Sequence, residues 1–213
     1  RDTHIDVEMF GLLYGLMKRC RERPELRVLI VGLDNGGKTT LLEQMKSLYL
    51  KTSPRKNLKK IPPTVGLNVG RVSYKKWDVL FWDLGGHKSM REIWENYYDD
   101  ASAILFVIDS ADPSRFPEVK KEVERLLKDS RLAGVPILIA ANKQDVSNAL
   151  DPQDVASSAG IHTIQSRALH VQGVSALTCE GLSESVDWIM KACASSKMAG
   201  NAPDAVLLPK NKK

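Results

Sequence analysis

One eight-residue stretch, Gly32-Leu33-Asp34-Asn35-Gly36-Gly37-Lys38-Thr39, constrains what this chain can fold into more than any other feature. It fits the pattern G-x-x-x-x-G-K-[ST], which carries meaning only between a strand and a helix. Both flanks are right. Leu26–Val31 is an apolar, β-branched run of strand character, and Thr39–Leu50 carries Leu41, Leu42, Met45, Leu48 and Tyr49 at helical spacing. The residue types then point to a phosphate cradle. Gly32, Gly36 and Gly37 leave room for backbone N–H groups to curl around phosphate oxygens, and the helix start adds its positive dipole end. Lys38 can reach the β- and γ-phosphates, and the Thr39 hydroxyl can bind Mg²⁺. Thr40 continues the same turn. A glycine turn without a ligand is the alternative, and the correct strand and helix argue against it.

The 213 residues suit one domain of ordinary size with tails, and an apolar share of 43% is enough for a full core. The net charge of +5 is a mild excess, and no nucleic-acid partner is expected from it. Cys20, Cys179 and Cys193 are odd in number and form no disulfide framework; buried thiols in a reducing compartment are expected. No run of about 18 apolar residues is long enough for a membrane-spanning helix. Residues 1–8 read as leader sequence. Residues 9–23 read as an amphipathic helix: Phe10, Leu13, Leu16 and Met17 share a face, followed by Lys18, Arg19, Arg21 and Arg23. Such a segment suits an anionic membrane surface. It can equally pack on its own domain. If Met9 is the native start, Phe10 stands where N-myristoylation needs glycine, so that lipid is not expected.

Residues 51–63 form a basic, proline-bearing loop, read as solvated and mobile. Thr64-Val65-Gly66-Leu67-Asn68 follows. Leu67–Ser73 and Trp77–Trp82 read as an antiparallel hairpin around Tyr74-Lys75-Lys76. The second strand runs out at Asp83-Leu84-Gly85-Gly86-His87, where an aspartate can hold Mg²⁺, directly or through water, and a glycine lets the backbone approach a terminal phosphate. Lys88–Asp100 reads as helical and Ala103–Asp109 as a buried strand. Ser114–Arg131 reads as a helix with Val119, Val123, Leu126 and Leu127 inward, and Val135–Ala141 as another buried strand.

That strand ends in Asn142-Lys143-Gln144-Asp145, the N-K-x-D arrangement. Asp145 can accept from the N1–H and 2-amino group of guanine; adenine offers neither there and would leave a buried carboxylate unpaired. Asn142 can either fix the loop or meet the base, and the Lys143 stem can cover the base plane. Asp151–Ala159 reads as a short helix capped by Asp151, with Pro152 at its first position. Arg167–Val174 is the last strand, followed by Ser175-Ala176-Leu177, where a backbone N–H can reach guanine O6. Gly181–Ala194 closes the fold with Leu182, Val186, Ile189 and Met190 inward. Residues 195–213 read as a disordered tail without a prenylation box. Strands alternating with helices imply a mainly parallel sheet, helices on both faces and a ligand at the strands' C-terminal ends.

Gly32–Thr39, Thr64, Asp83–Gly86, Asn142–Asp145 and Ser175–Leu177 are spaced as in Ras-like small GTPases. Asp34 within the glycine loop, Thr-Val-Gly-Leu-Asn at 64–68, Trp-Asp-Leu-Gly-Gly at 82–86 and the amphipathic N-terminal segment resemble the Arf branch. The resemblance covers residues 9–194. It implies an α/β, P-loop small GTPase fold with a mostly parallel six-stranded sheet, one antiparallel hairpin strand and a GTPase domain over 24–194. It also implies GTP and GDP as ligands, with Mg²⁺ held by Thr39, Thr64 and Asp83. Lys38, Thr64, Gly86 and His87 are the implied catalytic set. Thr64 closes on Mg²⁺ and the γ-phosphate, and the Gly86 amide meets that phosphate. An exchange factor, a GTPase-activating protein and effectors facing Leu67, Trp82 and Tyr97 are the implied partners. The implied setting is cytoplasmic, cycling onto Golgi and trans-Golgi membrane, with a hairpin register shift that expels the N-terminal helix on GTP binding.

His87 departs from the family, which has a water-orienting glutamine there. An amide presents acceptor and donor side by side, whereas a neutral imidazole carries them on separate ring edges and an imidazolium has no acceptor. Slow intrinsic hydrolysis is one expectation, and a tolerated variant completed by an activating protein is the other. A nucleotide-locked scaffold without useful turnover therefore stands as an alternative. A P-loop kinase is a third reading, and the guanine-selective Asn142–Asp145 argues against it.

Overall fold

A computed structural model of the chain describes residues 23–50, 58, 61–161 and 167–198. The leader, most of the amphipathic segment, Cys20, most of the basic loop and the tail from residue 199 lie outside the described residues. Among the described residues no helix is long and apolar enough to cross a membrane.

Among the described residues there are six strands and four α-helices. The strands are β1 (Glu25–Val31), β2 (Leu67–Tyr74), β3 (Trp77–Leu84), β4 (Ala103–Asp109), β5 (Ile137–Asn142) and β6 (Leu169–Gly173). The helices are α1 (Lys38–Tyr49), α2 (Phe116–Lys128), α3 (Pro152–Ser158) and α4 (Leu182–Met198). The strand order is β2-β3-β1-β4-β5-β6. Every pairing is parallel except β2 with β3, which are antiparallel from Leu67 opposite Leu84 to Tyr74 opposite Trp77.

Strands covered on both faces read as continuous apolar runs. β4 and β5 are such strands, buried along nearly their whole length. Alternation divides β1 between two cores. Val28 and Ile30 join Leu41, Leu42 and Met45 of α1 and Leu182, Val186 and Ile189 of α4. Leu29 and Val31 join Val119, Val123 and Leu126 of α2, Val155 of α3 and Trp94. The sheet is thus sandwiched, as the alternation implies. Asp151 caps α3, accepting from the backbone N–H groups of Gln153 and Asp154, with Pro152 at the first position.

The differences from the sequence reading have physical reasons. The hairpin turns on two residues, Lys75 and Lys76, with Lys75 at φ 51°, so β2 includes Tyr74 and β3 runs on to Leu84. A lysine pair lacks the Asn-Gly signature of such a turn. Lys88–Tyr97 is 3-10 rather than α-helical. Arg91 and Trp94, three residues apart, donate to the carbonyls of Gly86 and Gly85, and a three-residue turn superposes them. Leu48 is 42% exposed, so the inward face of α1 is narrower than its apolar spacing suggests. Helix α4 continues to Met198, past the Ala194 at which the pattern ends it and into the stretch read as disordered tail. Cys193 is buried, its thiol donating to the Ser102 carbonyl at 3.4 Å, and Cys179 is half-buried.

Candidate functional site

The C-terminal ends of β1, β3 and β5 open into one cleft of about 590 Å³. Asp34, Asn35, Gly37, Lys38, Thr39, Thr40, Thr64, Gly86, His87 and Lys143 line it, with Ile61, Pro62 and Pro63 closing one wall. Residues from four distant parts of the sequence therefore meet where the alternating topology places a ligand.

The glycine loop wraps the start of α1. Gly37 sits at φ 88°, and a Cβ there would meet Asn142 Nδ2 at 2.4 Å, so both backbone and space require glycine. Lys38 is 6% exposed. Its ammonium donates to the carbonyls of Gly32 (2.9 Å) and Leu33 (2.7 Å), bridging the loop from within. Burial pushes this ammonium down to about 8 from its ordinary 10.5, against Asp83 and Asp34, which raise it.

Thr39, Thr64 and Asp83 converge. Thr39 Oγ1 lies 2.7 Å from Thr64 Oγ1 and donates to Asp83 Oδ2 at 2.7 Å. Thr64 Oγ1 is 3.3 Å and Asn68 Nδ2 3.5 Å from the same carboxylate oxygen. Asp83 is fully buried and its Oδ1 has no partner. Burial pushes its carboxyl up, opposed by the Thr39 hydroxyl and the Lys38 charge. An orphaned buried carboxylate oxygen beside two hydroxyls is a hard-oxygen donor set that fits Mg²⁺, which takes one or two carboxylates and completes its shell from phosphates and water.

Gly86 presses on the loop. A Cβ on it would meet Gly32 O and Lys38 Nζ at 2.4 Å and Asp34 N at 2.5 Å, so only glycine permits this approach. Next to it His87 is exposed, and its Nδ1 lies 2.9 Å from Ser89 Oγ.

The N-K-x-D segment lies beside the glycine loop, with Lys143 lining the cleft. Asn142 is 1% exposed. Its Nδ2 donates to Gly36 O at 2.8 Å, and its Oδ1 accepts from the Ala176 N–H at 2.9 Å. Of its two sequence roles, these contacts are those of a residue that fixes the loops. Lys143, at φ 70°, donates to Asp109 Oδ2 at 2.5 Å. Asp145 Oδ1 accepts from Ser175 Oγ at 2.5 Å, and Ser175 Oγ accepts from the N–H groups of Leu177 (3.2 Å) and Thr178 (3.0 Å). Within Ser175-Ala176-Leu177, where a backbone N–H is expected to reach guanine O6, all three N–H groups have protein acceptors here.

Of the residues expected to face effectors, Leu67 is 37% exposed. Trp82 and Tyr97 are edge-to-face at 5.4 Å. Val65 and Val69, two positions either side of Leu67 in the sequence, are also exposed. Sequence reasoning missed Arg91, Arg115 and Asp109. Arg115 donates to Asp34 O at 2.9 Å and Asp34 Oδ1 at 2.8 Å, and Asp109 anchors Lys143. Only the position of Asp109, last in a buried strand, could have marked it.

A doubly covered, six-stranded mixed sheet with a glycine loop at the end of β1 and N-K-x-D at the end of β5 defines a small GTPase. The model of the ADP-ribosylation factor family matches residues 13–193. ADP-ribosylation factor-related protein 1 from Bos taurus is 43% identical over 185 residues, covering 86% of this chain and 92% of that protein. Its counterpart from Homo sapiens is 41% identical over the same shares. The solved Arl6 BBS3 small GTPase from Trypanosoma brucei, with bound nucleotide analogue GppNp, is 30% identical at a TM-score of 0.71, covering 81% of this chain and 99% of that one. The chain belongs to the ADP-ribosylation factor family of small GTPases.

Proposed function

We propose that this GTP-binding switch cycles between GDP and GTP·Mg²⁺, hydrolyses GTP slowly and recruits effectors to Golgi or trans-Golgi membrane in vesicle traffic. The observation that carries the reading is the meeting of Thr39, Thr64 and the unpartnered Asp83 Oδ1 beside Lys38 in one cleft. Thr39, Thr64 and Asp83 would hold Mg²⁺, which would supply charge neutralisation at the phosphates. The glycine-loop amides and Lys38 bind the phosphates, the Gly86 N–H meets the γ-phosphate, and Asp145 selects guanine with Asn142 holding its loop. Water attacks the γ-phosphorus in line while the bond to the β–γ bridging oxygen breaks, and the charge that develops on that oxygen falls to Lys38. Leu67, Trp82 and Tyr97 present the effector surface. The basic amphipathic segment meets the membrane, and exchange and activating proteins drive the cycle.

Slow hydrolysis has its own support. His87 Nδ1 is engaged by Ser89, leaving one ring nitrogen to serve an attacking water where an amide would serve water and phosphate together. Single-turnover hydrolysis of the chain and of His87→Gln tests this, with a faster variant expected; equal rates remove it and leave an activating protein to complete the site. The nucleotide released on denaturation, competition of GTP against ATP, and liposome flotation of the full chain in both states test the wider reading. ATP competing as well as GTP would overturn it.

A further inference from the structure

Gly86 is held by two side chains that the proposed chemistry does not use. Trp94 Nε1 donates to the carbonyl of Gly85 at 3.0 Å. Arg91 Nε donates to the carbonyl of Gly86 at 2.8 Å, and the Asp34 N–H reaches the same oxygen at 3.2 Å. A trans peptide carries its C=O and N–H on opposite sides. With the Gly85 carbonyl turned to Trp94, the Gly86 N–H faces away from that side. With the Gly86 carbonyl held as well, both peptides around this residue are fixed.

Arg91 is 3% exposed, a degree of burial that a guanidinium rarely reaches unless it is paired. Its Nη1 meets Glu118 Oε1 at 2.8 Å and Glu122 Oε1 at 3.2 Å, and its Nη2 lies 3.6 Å from Asp34 Oδ1. Arg115 closes the circuit, donating to Glu118 Oε2 at 3.0 Å and to both the carbonyl and carboxylate of Asp34. Three carboxylates and two guanidiniums thus tie the glycine loop, the segment after β3 and α2 together. One planar fork reaches a backbone oxygen and three acids at once, a geometry that lysine cannot copy.

We infer that Arg91 is a positioning residue that aims the Gly86 peptide into the cleft and thereby sets how strongly the site prefers a nucleoside triphosphate over a diphosphate. The inference rests on the reading of the cleft as a guanine-nucleotide site. Loosening the Gly86 peptide weakens contact with a terminal phosphate and leaves the diphosphate's contacts with the loop, Lys38 and Asp145 in place.

The test measures affinities for GDP and for GTPγS with the full chain, as wild type, Arg91→Lys, Arg91→Gln and Glu122→Gln. Both Arg91 variants are expected to lose about tenfold or more in GTPγS affinity while GDP affinity stays within about twofold. Arg91→Lys keeps the charge without the fork and is expected to rescue little. Glu122→Gln touches no cleft residue and is expected to lower the same ratio by about threefold; it decides the matter where the Arg91 variants fail to fold. A ratio unchanged in the folded variants, or both affinities falling in proportion, overturns the inference. A wild-type chain that binds neither nucleotide overturns the underlying reading first, before any variant is compared.

Discussion

Asn142→Ala separates loop fixing from base contact. The truncation leaves Gly36 O without its 2.8 Å donor and the Ala176 N–H without its 2.9 Å acceptor, at a site only 1% exposed. A buried polar group left unpaired costs roughly 1–3 kcal/mol. With water recovering part of the loss at the cleft edge, the two together give about 2–4 kcal/mol. For a domain of this size about 2–4 °C of melting temperature is lost per kcal/mol, hence a fall on the order of 10 °C. Asn142→Asp is the sharper comparison. It keeps an acceptor for Ala176 but sets a carboxylate oxygen against Gly36 O, and is expected to be at least as damaging as alanine. The assay is thermal and urea unfolding of the nucleotide-free chain beside nucleotide dissociation rates. Loop fixing predicts lost stability without nucleotide and faster dissociation with it. An alanine variant that melts like the wild type yet loses guanine nucleotide would refute it and make Asn142 a base contact.

The depressed Lys38 ammonium gives a pH dependence of definite sign. Between about 8 and 10.5 the unfolded chain holds a proton that the folded one has lost, so this residue's contribution makes nucleotide-free stability rise with pH. The slope is at most about 1.4 kcal/mol per pH unit. Urea midpoints from pH 7.5 to 9.5 should therefore climb more steeply for the wild type than for Lys38→Met; parallel curves would show that the burial of Lys38 carries no such cost. Asp145→Asn replaces an all-acceptor carboxylate by an amide with a donor, which suits the C2 carbonyl of xanthine better than the C2 amino group of guanine. Guanine nucleotide affinity is expected to fall by about a hundredfold or more while xanthosine diphosphate becomes the better competitor in fluorescent-nucleotide displacement. Asp83→Asn removes the charge of the proposed Mg²⁺ donor set; chelation of Mg²⁺ is expected to accelerate nucleotide release from the wild type and to have little effect on the variant.

What could be read from the sequence was what is local. Strand, glycine loop and helix are contiguous, so Gly32–Thr39 announced both a conformation and a chemistry. The apolar runs of β4 and β5 needed no partner to be recognised as buried strands. Element ends were harder, because they depend on contacts made elsewhere. β2 runs one residue further because Lys75 accepts a left-handed backbone, and Lys88–Tyr97 tightens to 3-10 because Arg91 and Trp94 reach back to a loop. Leu48 fits the helical stripe of α1 yet has no core to enter.

The unread part of the site is its charged scaffold, and the reason is physical. Arg91, Arg115, Glu118 and Glu122 have the spacing of a solvated surface, and charged side chains are rarely buried unless paired. Only Arg91 is buried, and the four pair because the fold brings α2 against the glycine loop, with Arg115 and Asp34 meeting across 81 positions. Asn142 meets Gly36 across 106 positions by the same kind of long-range closure. Residues that touch phosphate or base declare themselves by type, since few side chains can do that chemistry. Residues that hold those contacts in place are interchangeable with ordinary surface residues until the fold pairs them. The half of such a site marked by residue type is therefore legible early, and the half that holds it in place becomes legible only once the chain is folded.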